Sequence, residues 1–250
     1  MRVHVIGSGS SKPSAVRTNS SYLLRDSDGI ILLDCSGSPA HSILKCGYDL
    51  RELRGVYLTH AHVDHVYALP SLIHSLWLVG AFIDSPLPIY GPADAISVGK
   101  RLVGAFDLES RPKAVRVSWN PIDTAGSSIV SDTNGNFPVV AHPVTHGNVQ
   151  AVGFQFGSIL FSGDCVYDVL LDRAAAEVAE VVVDCGGGLE GTSGHAGARQ
   201  IAHFALMHPE IRKLYLTHLD SAEDESKLLA LFASSKQIVR VLVDGETFAV

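Results

Sequence analysis

Three histidines and an aspartate fall within six consecutive positions, His60-Ala61-His62-Val63-Asp64-His65. Neutral imidazole and carboxylate are the ligand types that suit zinc and related divalent ions. The apolar run Val56-Tyr57-Leu58 ahead of the cluster predicts a buried strand, and Val66 to Leu78 behind it predicts a helix. The cluster therefore belongs on a strand-to-helix loop. In extended backbone His60 and His62 project to the same side. Asp64 and His65 follow where the chain turns into the helix, placed to face a second ion.

The composition suits a chain with a substantial core: 250 residues, 46% apolar and 18% charged, within the range of one α/β sandwich domain spanning 1–250. Nineteen basic against 26 acidic side chains leave a net charge of −7, and the Lys and Arg residues form no cluster. Extended nonspecific nucleic-acid binding leaves a basic footprint and is disfavoured; local phosphate recognition is not. Cys35, Cys46, Cys165 and Cys185 lack Cys-x-x-Cys spacing, so the expectation is reduced, buried thiols. The chain opens on an apolar strand, and no stretch reaches membrane-spanning length, so the expected setting is cytoplasmic with no membrane partner.

Along the chain, Val3–Ile6 predicts a strand running into the loop Gly7-Ser8-Gly9-Ser10-Ser11-Lys12-Pro13. Neither Walker spacing nor a dinucleotide fingerprint is present, so this reads as a Gly/Ser loop bordering a cleft. Asn19–Leu24 and Gly29–Leu33 predict a hairpin, and Pro39–Leu44 a short helix. Leu87–Tyr90 and Val115–Trp119 read as strands, Ala93–Phe106 as a helix, and Asn120–Asn136 as a loop between two halves. In the second half, strands are predicted at Ala151–Phe156, Ser158–Phe161, Val181–Val183, Lys213–Leu216 and Ile238–Val243. Helices are predicted at Val169–Glu177, His195–Met207 and Glu225–Ala233. Two strings echo: Val56-Tyr57-Leu58-Thr59-His60 as Leu214-Tyr215-Leu216-Thr217-His218, and Leu32-Leu33-Asp34-Cys35 as Val182-Val183-Asp184-Cys185. The offsets of 158 and 150 residues support two similar βα halves packed as two sheets flanked by helices.

The His-x-His-x-Asp-His string after a buried strand resembles the signature of the metallo-β-lactamase superfamily, mostly two-metal hydrolases. The resemblance covers nearly the whole chain and implies an α/β fold, the four-layer αββα sandwich. It further implies two divalent ions, zinc first, with manganese or iron also accommodated by His/Asp ligands. His146, Asp164 and His218 match the third histidine, the bridging carboxylate and the last histidine of the family in order. The implied set is His60, His62 and His146 on one ion, Asp64, His65 and His218 on the other, and Asp164 between them. His142 competes with His146 for its place. It precedes Pro143, where the backbone is restricted, and is read as a supporting or structural residue. Asp34, ending an apolar strand before Gly37, is expected to orient the metal loop and fix a histidine tautomer.

His195, in Gly194-His195-Ala196-Gly197-Ala198-Arg199, resembles the motif of the ribonuclease Z-like phosphodiesterases, as do Gly7-Ser8-Gly9-Ser10 and Arg17-Thr18-Asn19-Ser20-Ser21. In that branch the matching histidine stabilises the phosphate and protonates the leaving oxygen. The resemblance implies a hydroxide held between the ions as nucleophile, with Asp64 orienting it and His195 as the acid. Three features depart from ribonuclease Z. Only 17 residues (147 to 163) separate His146 from Asp164, leaving no room for a tRNA-gripping arm. Asp184-Cys185-Gly186-Gly187 stands where that branch has a His-Glu-Ala-Thr-like string, and Ala68 replaces a common glycine. These favour a small or cyclic phosphodiester over tRNA 3′ processing. The alternatives are a tRNA 3′ endonuclease-like activity, or hydrolysis of a sulfate ester or lactone on the same ions. The apolar segment Leu69–Phe82, with Trp77, is expected in the core, a homodimer face being the other option.

Overall fold

The computed structural model describes residues 1–12, 14–132, 138–220 and 225–250. Strands whose side chains are apolar on both faces need cover on both sides, and the chain supplies it in four layers. The first sheet contains β1 (Arg2–Gly7), β2 (Ser21–Arg25), β3 (Ile30–Leu33), β4 (Leu53–Tyr57), β5 (Leu87–Pro92) and β6 (Val117–Ile122). The second contains β7 (Ser128–Asp132), β8 (Pro138–His146), β9 (Val149–Phe156), β10 (Ile159–Phe161), β11 (Glu180–Asp184), β12 (Lys213–Thr217) and β13 (Ile238–Val241). A last strand, β14 (Thr247–Ala249), crosses back to pair with β1. The seven-stranded orders are β14-β1-β2-β3-β4-β5-β6 and β13-β12-β11-β10-β9-β8-β7. In each sheet a parallel pair carries part of the site, β3 with β4 and β11 with β12, whereas β8 runs antiparallel to both of its neighbours.

Alternation assigns the faces. Ile30 and Leu32 of β3 pack outward against helices, whereas Ile31 and Leu33 meet the second sheet. Likewise Val181 and Val183 of β11 face outward and Val182 inward. The inner layer is aromatic: Tyr57 packs edge-on against Phe154 and Phe156, and Phe161 against Tyr22 and Phe156. Helices α1 (Pro39–Lys45), α2 (Val63–Val66), α3 (Leu69–Leu78) and α4 (Ala93–Gly104) belong to the first half. Helices α5 (Val169–Ala175), α6 (Ala198–Met207) and α7 (Glu225–Ala230) belong to the second.

Several expectations are redrawn. The helix predicted over Val66–Leu78 is two helices, because Pro70 cannot donate to the turn before it and instead occupies the first turn of α3. Ala68 N is released to bond Cys35 O at 3.0 Å, while Cys35 N bonds His65 O at 2.7 Å, which ties the break to the metal loop. The helix predicted from His195 starts at Ala198, leaving His195 on the preceding loop. The region expected as a loop between halves holds the end of β6 and the whole of β7; its residues 133–136, like Pro13 of the Gly/Ser loop, lie outside the described residues. The face of α3 bearing Leu69, Leu72, Ile73 and Leu76 is core, and Trp77 packs at its edge with Nε1 donating to Pro112 O at 3.0 Å. Cys35, Cys165 and Cys185 are buried, reduced cysteines and Cys46 is half-buried. No helix among the described residues is long and apolar enough to cross a membrane.

Candidate metal centre

The expected ligand set lies at or just beyond the ends of strands, except Asp64 and His65, which stand on the short helix after β4, and the two sheets bring these positions together. β4 delivers Thr59 and His60, α2 carries Asp64 and His65, β8 ends on His146, the turn after β10 carries Asp164, and β12 is followed by His218. Among the described residues three groups of donor atoms lie within 4.8 Å of one another: His60, His62, His146 and Asp164; Asp64, His65, Asp164 and His218; and Asp164, Asp184, His195 and His218. The first two match the expected ligand sets, and Asp164 belongs to all three. Its Oδ2 lies 3.1 Å from His218 Nε2, 3.4 Å from His65 Nε2, 3.7 Å from His60 Nε2 and 3.9 Å from His146 Nε2. Gly163 makes this approach feasible: at φ +62°, a Cβ there would meet Thr59 Cβ at 2.9 Å.

Backbone and side-chain partners fix the rings from behind. Asp34 Oδ2 accepts from His65 Nδ1 at 2.7 Å, and Asp34 Oδ1 from Thr59 N at 2.8 Å. His146 Nδ1 donates to Gly194 O at 2.6 Å. His60 Nδ1 lies 3.0 Å from Thr59 Oγ1. His195 Nδ1 donates to Asp184 Oδ2 at 2.8 Å, and its ring stacks on His218 with centroids 4.8 Å apart. His142 stands apart: Nε2 pairs with Gln155 Oε1 at 2.8 Å and Nδ1 with Ser127 Oγ at 3.0 Å, so it makes no contact with the cluster through either nitrogen.

The nitrogens that point inward test whether cations fit. Nε2 of His60, His65 and His218 are buried without a hydrogen-bond partner; their contacts to Asp164 lack hydrogen-bond geometry. A buried polar atom left unpaired costs about 1–3 kcal/mol. Three converging on one carboxylate is what a ligand set looks like, not a set of satisfied core histidines. His62 is exposed, at the mouth, with Nδ1 3.0 Å from His146 Nε2. The electrostatics agree. Burial, reinforced by the neighbouring His65, pushes His60 well below its ordinary value, and burial also lowers His146. At His65 and His218 burial acts in the same sense, but carboxylates outweigh it: Asp164 and Asp34 raise His65, and Asp164 lifts His218 to about 10. Asp64 is held low despite burial by His218 and His65. The carboxylates thus favour positive charge on the His65 and His218 side, whereas His60 and His146 favour the neutral imidazole that can ligate a cation. At His195 burial lowers the pKa, and the Asp184 carboxylate more than compensates, giving a net rise.

Asp184 is the site residue that sequence reasoning missed as a partner. It accepts from His195 Nδ1, from Cys165 N at 2.9 Å and from Gly186 N at 2.7 Å. The signal was its echo of Asp34 at the end of an apolar strand. Gly194, whose carbonyl orients His146, had no signal of its own.

The model of the metallo-β-lactamase superfamily matches residues 15–218, and the chain belongs to that family. Among relatives, the ribonuclease Z of Methanococcus maripaludis is 28% identical over 160 residues, 64% of this chain and 49% of that protein. The chain spans about half the length of the curated relatives it matches. In three dimensions it is similar to the short form of human tRNase Z, with a TM-score of 0.76 and 20% identity over 100% of this chain and 99% of the other. It is also similar to a diphosphatase from the PhnP family, with a TM-score of 0.78 and 16% identity over 100% and 97% of the two chains. The fold is therefore the α/β sandwich of that superfamily, with two buried His/Asp clusters consistent with a dinuclear metal site.

Proposed function

We propose that this chain is a dinuclear metal-dependent hydrolase acting on a small or cyclic phosphodiester. The observation that carries the reading is the convergence of unpaired buried imidazole nitrogens on Asp164, with a carboxylate-backed histidine beside them. His60, His62 and His146 would hold one ion, Asp64, His65 and His218 the other, and Asp164 both. Two such ions supply charge neutralisation at the phosphoryl oxygens and a nucleophile from water at neutral pH. Around them the chain does the positioning. Asp34 and Gly194 O hold His65 and His146 in the tautomer that leaves Nε2 free to ligate. Asp184 keeps a proton on His195 Nδ1 and favours the imidazolium, so that Nε2 can deliver a proton to the departing oxygen. Asp64, kept ionised by His218 and His65 and so acceptor-only, would help hold the second ion and accept a hydrogen bond from a water in the cleft.

A small substrate is favoured by the connection between His146 and Asp164. It is the β8–β9 hairpin, turning at Gly147-Asn148, followed directly by β10. A hairpin this short offers no extended arm to grip tRNA. Together with the net charge of −7, this separates the reading from the ribonuclease Z and tRNase Z activities that its relatives are named for.

The test is metal analysis followed by turnover of bis-(p-nitrophenyl) phosphate and a panel of cyclic and linear phosphodiesters, aryl sulfates and lactones. His195→Ala should keep its metals and lose about 10²-fold or more on phosphodiesters. Stoichiometric metal without turnover on any substrate would make the chain a binding module. Undiminished lactone or sulfate hydrolysis in the variant would favour the other ester reading.

A further inference from the structure

The Gly7–Ser10 turn is not an anion nest, because its backbone donors are committed. Ser8 N donates to Asp244 Oδ1 at 2.9 Å, Gly9 N to Thr18 O at 2.8 Å and Ser10 N to Leu219 O at 3.3 Å. What the turn grips is the chain immediately after His218. Leu219 N returns a bond to Ser8 O at 3.2 Å, Ser10 Oγ donates to Asp220 Oδ1 at 2.5 Å, and Lys12 Nζ pairs with Asp220 Oδ2 at 3.1 Å.

His218 needs such a grip more than the other inward-facing histidines. His65 and His146 are steered by hydrogen bonds on Nδ1, and His60 Nδ1 sits beside Thr59 Oγ1. His218 Nδ1 is buried without a partner; the nearest carboxylate oxygen, Asp184 Oδ1, is 3.8 Å away. Its backbone also lies in the left-handed region, at φ +62°, which a non-glycine residue adopts only when flanking structure holds it there. On the upstream side the hold is firm: Thr217 O accepts from Cys185 N at 3.0 Å and Thr217 Oγ1 meets Tyr22 OH at 2.5 Å. Downstream, the side chains that complete it are Ser10 and Asp220. Ring placement then comes from the two backbone anchors, the stacks on His195 and His65 and the close approach of Gly186.

We propose that Ser10 and Asp220 are positioning residues that set the place of His218, so that losing their contact weakens the ion held by Asp64, His65 and His218 and spares the ion held by His60, His62 and His146. This rests on the dinuclear reading above. The Asp220 carboxylate also lies within electrostatic range of His218, so the Ser10 variants, which leave that charge in place, isolate the part of the effect carried by the backbone.

The experiment is a Zn²⁺ titration of the full chain against a chromophoric chelator, which reads stepwise affinities without reference to turnover. Wild type should show two steps, and His218→Ala assigns the step that belongs to His218. Ser10→Ala and Asp220→Ala should weaken that same step about tenfold or more and leave the other within about twofold. Ser10→Thr, which keeps the hydroxyl, should restore it. Lys12→Ala removes the exposed partner of the same carboxylate and should weaken that step by a smaller factor; it serves if Asp220→Ala does not fold. Two wild-type steps with both unchanged in the variants, or both weakened equally, overturns the clamp. A wild type without two steps overturns the dinuclear reading and the clamp with it.

Discussion

The two halves of the molecule use an aspartate at the end of a core strand in different ways. Asp34 follows β3 and Asp184 ends β11, and each is followed by a buried cysteine. The strings around them look alike, yet they are out of step in space. Leu33 pairs with Tyr57 and Val182 with Tyr215, so Asp34 is one residue past its aromatic pair and Asp184 is two. A one-residue offset turns a strand side chain to the opposite face. Asp34 leaves the strand through a left-handed conformation, φ +55°, and closes on Thr59 and His65. Asp184 stays in the strand and reaches Cys165 N and His195. The other echo is in register: Tyr57 and Tyr215 both face the inner core, Leu58 and Leu216 both face outward, and each run leads into Thr-His. The Thr-His echo thus reflects equivalent strands, whereas the Asp-Cys echo reports similar chemistry at shifted positions. The first aspartate supports His65, a proposed metal ligand; the second supports His195, proposed to transfer the proton.

That division can be broken by mutation. Asp34→Ala removes the acceptor of Thr59 N, Thr59 Oγ1 and His65 Nδ1, all buried. Chemical denaturation should report a loss of about 3 kcal/mol or more, and elemental analysis a fall in bound metal. Asp184→Asn keeps an acceptor oxygen and removes the charge behind His195. It should keep both ions while turnover drops about 10²-fold. Combined with His195→Ala it should cost little beyond the single variant, because the two act as a unit. Equal metal loss in the Asp34 and Asp184 variants would erase the distinction between the halves.

A finer probe is Gly186→Ala. Its Cβ would lie 2.6 Å from both His218 Nδ1 and His218 O, so the loop or the histidine must shift. The expected cost is about 1–3 kcal/mol of stability, together with weaker metal binding on the His218 side. The smallest effect is acid sensitivity from two histidines outside the centre, His4 in β1 and His142 in β8. Burial lowers both below 6.5, with Arg2 adding to the effect at His4. The folded state therefore binds those protons less readily than the unfolded chain. Their contribution is fully present above pH 6.5 and declines as pH falls through 6.5 toward the depressed values. His142→Gln should flatten the stability profile in that window; an unchanged slope would show that His142 does not contribute.

Much of this was legible in the sequence where a local pattern carried it. The His60–His65 string announced its chemistry, and apolar runs ending in Asp or His marked the strands that deliver the site. Strands and helices alternating in both halves pointed to two packed sheets flanked by helices, and the family resemblance implied the four-layer αββα sandwich. Positions set by tertiary contact were not legible. The break at Tyr67-Ala68 depends on Cys35 bonding both sides of it. His195 sits before its helix because Ala196 N is taken by Cys165 O at 2.7 Å and Thr192 Oγ1 accepts from His195 N at 3.1 Å. β14 is three residues long and pairs with β1 from the other end of the chain, a partner no local window contains. Asp184 illustrates the intermediate case: its residue type was visible, but its partner across the loop was not.

The most direct test is a crystal structure of the metal-loaded chain with diffraction collected at the metal absorption edge. Two anomalous peaks should flank Asp164, one among His60, His62 and His146 and the other among Asp64, His65 and His218. A single peak elsewhere, or metal-loaded crystals with no peak at Asp164, would contradict the account.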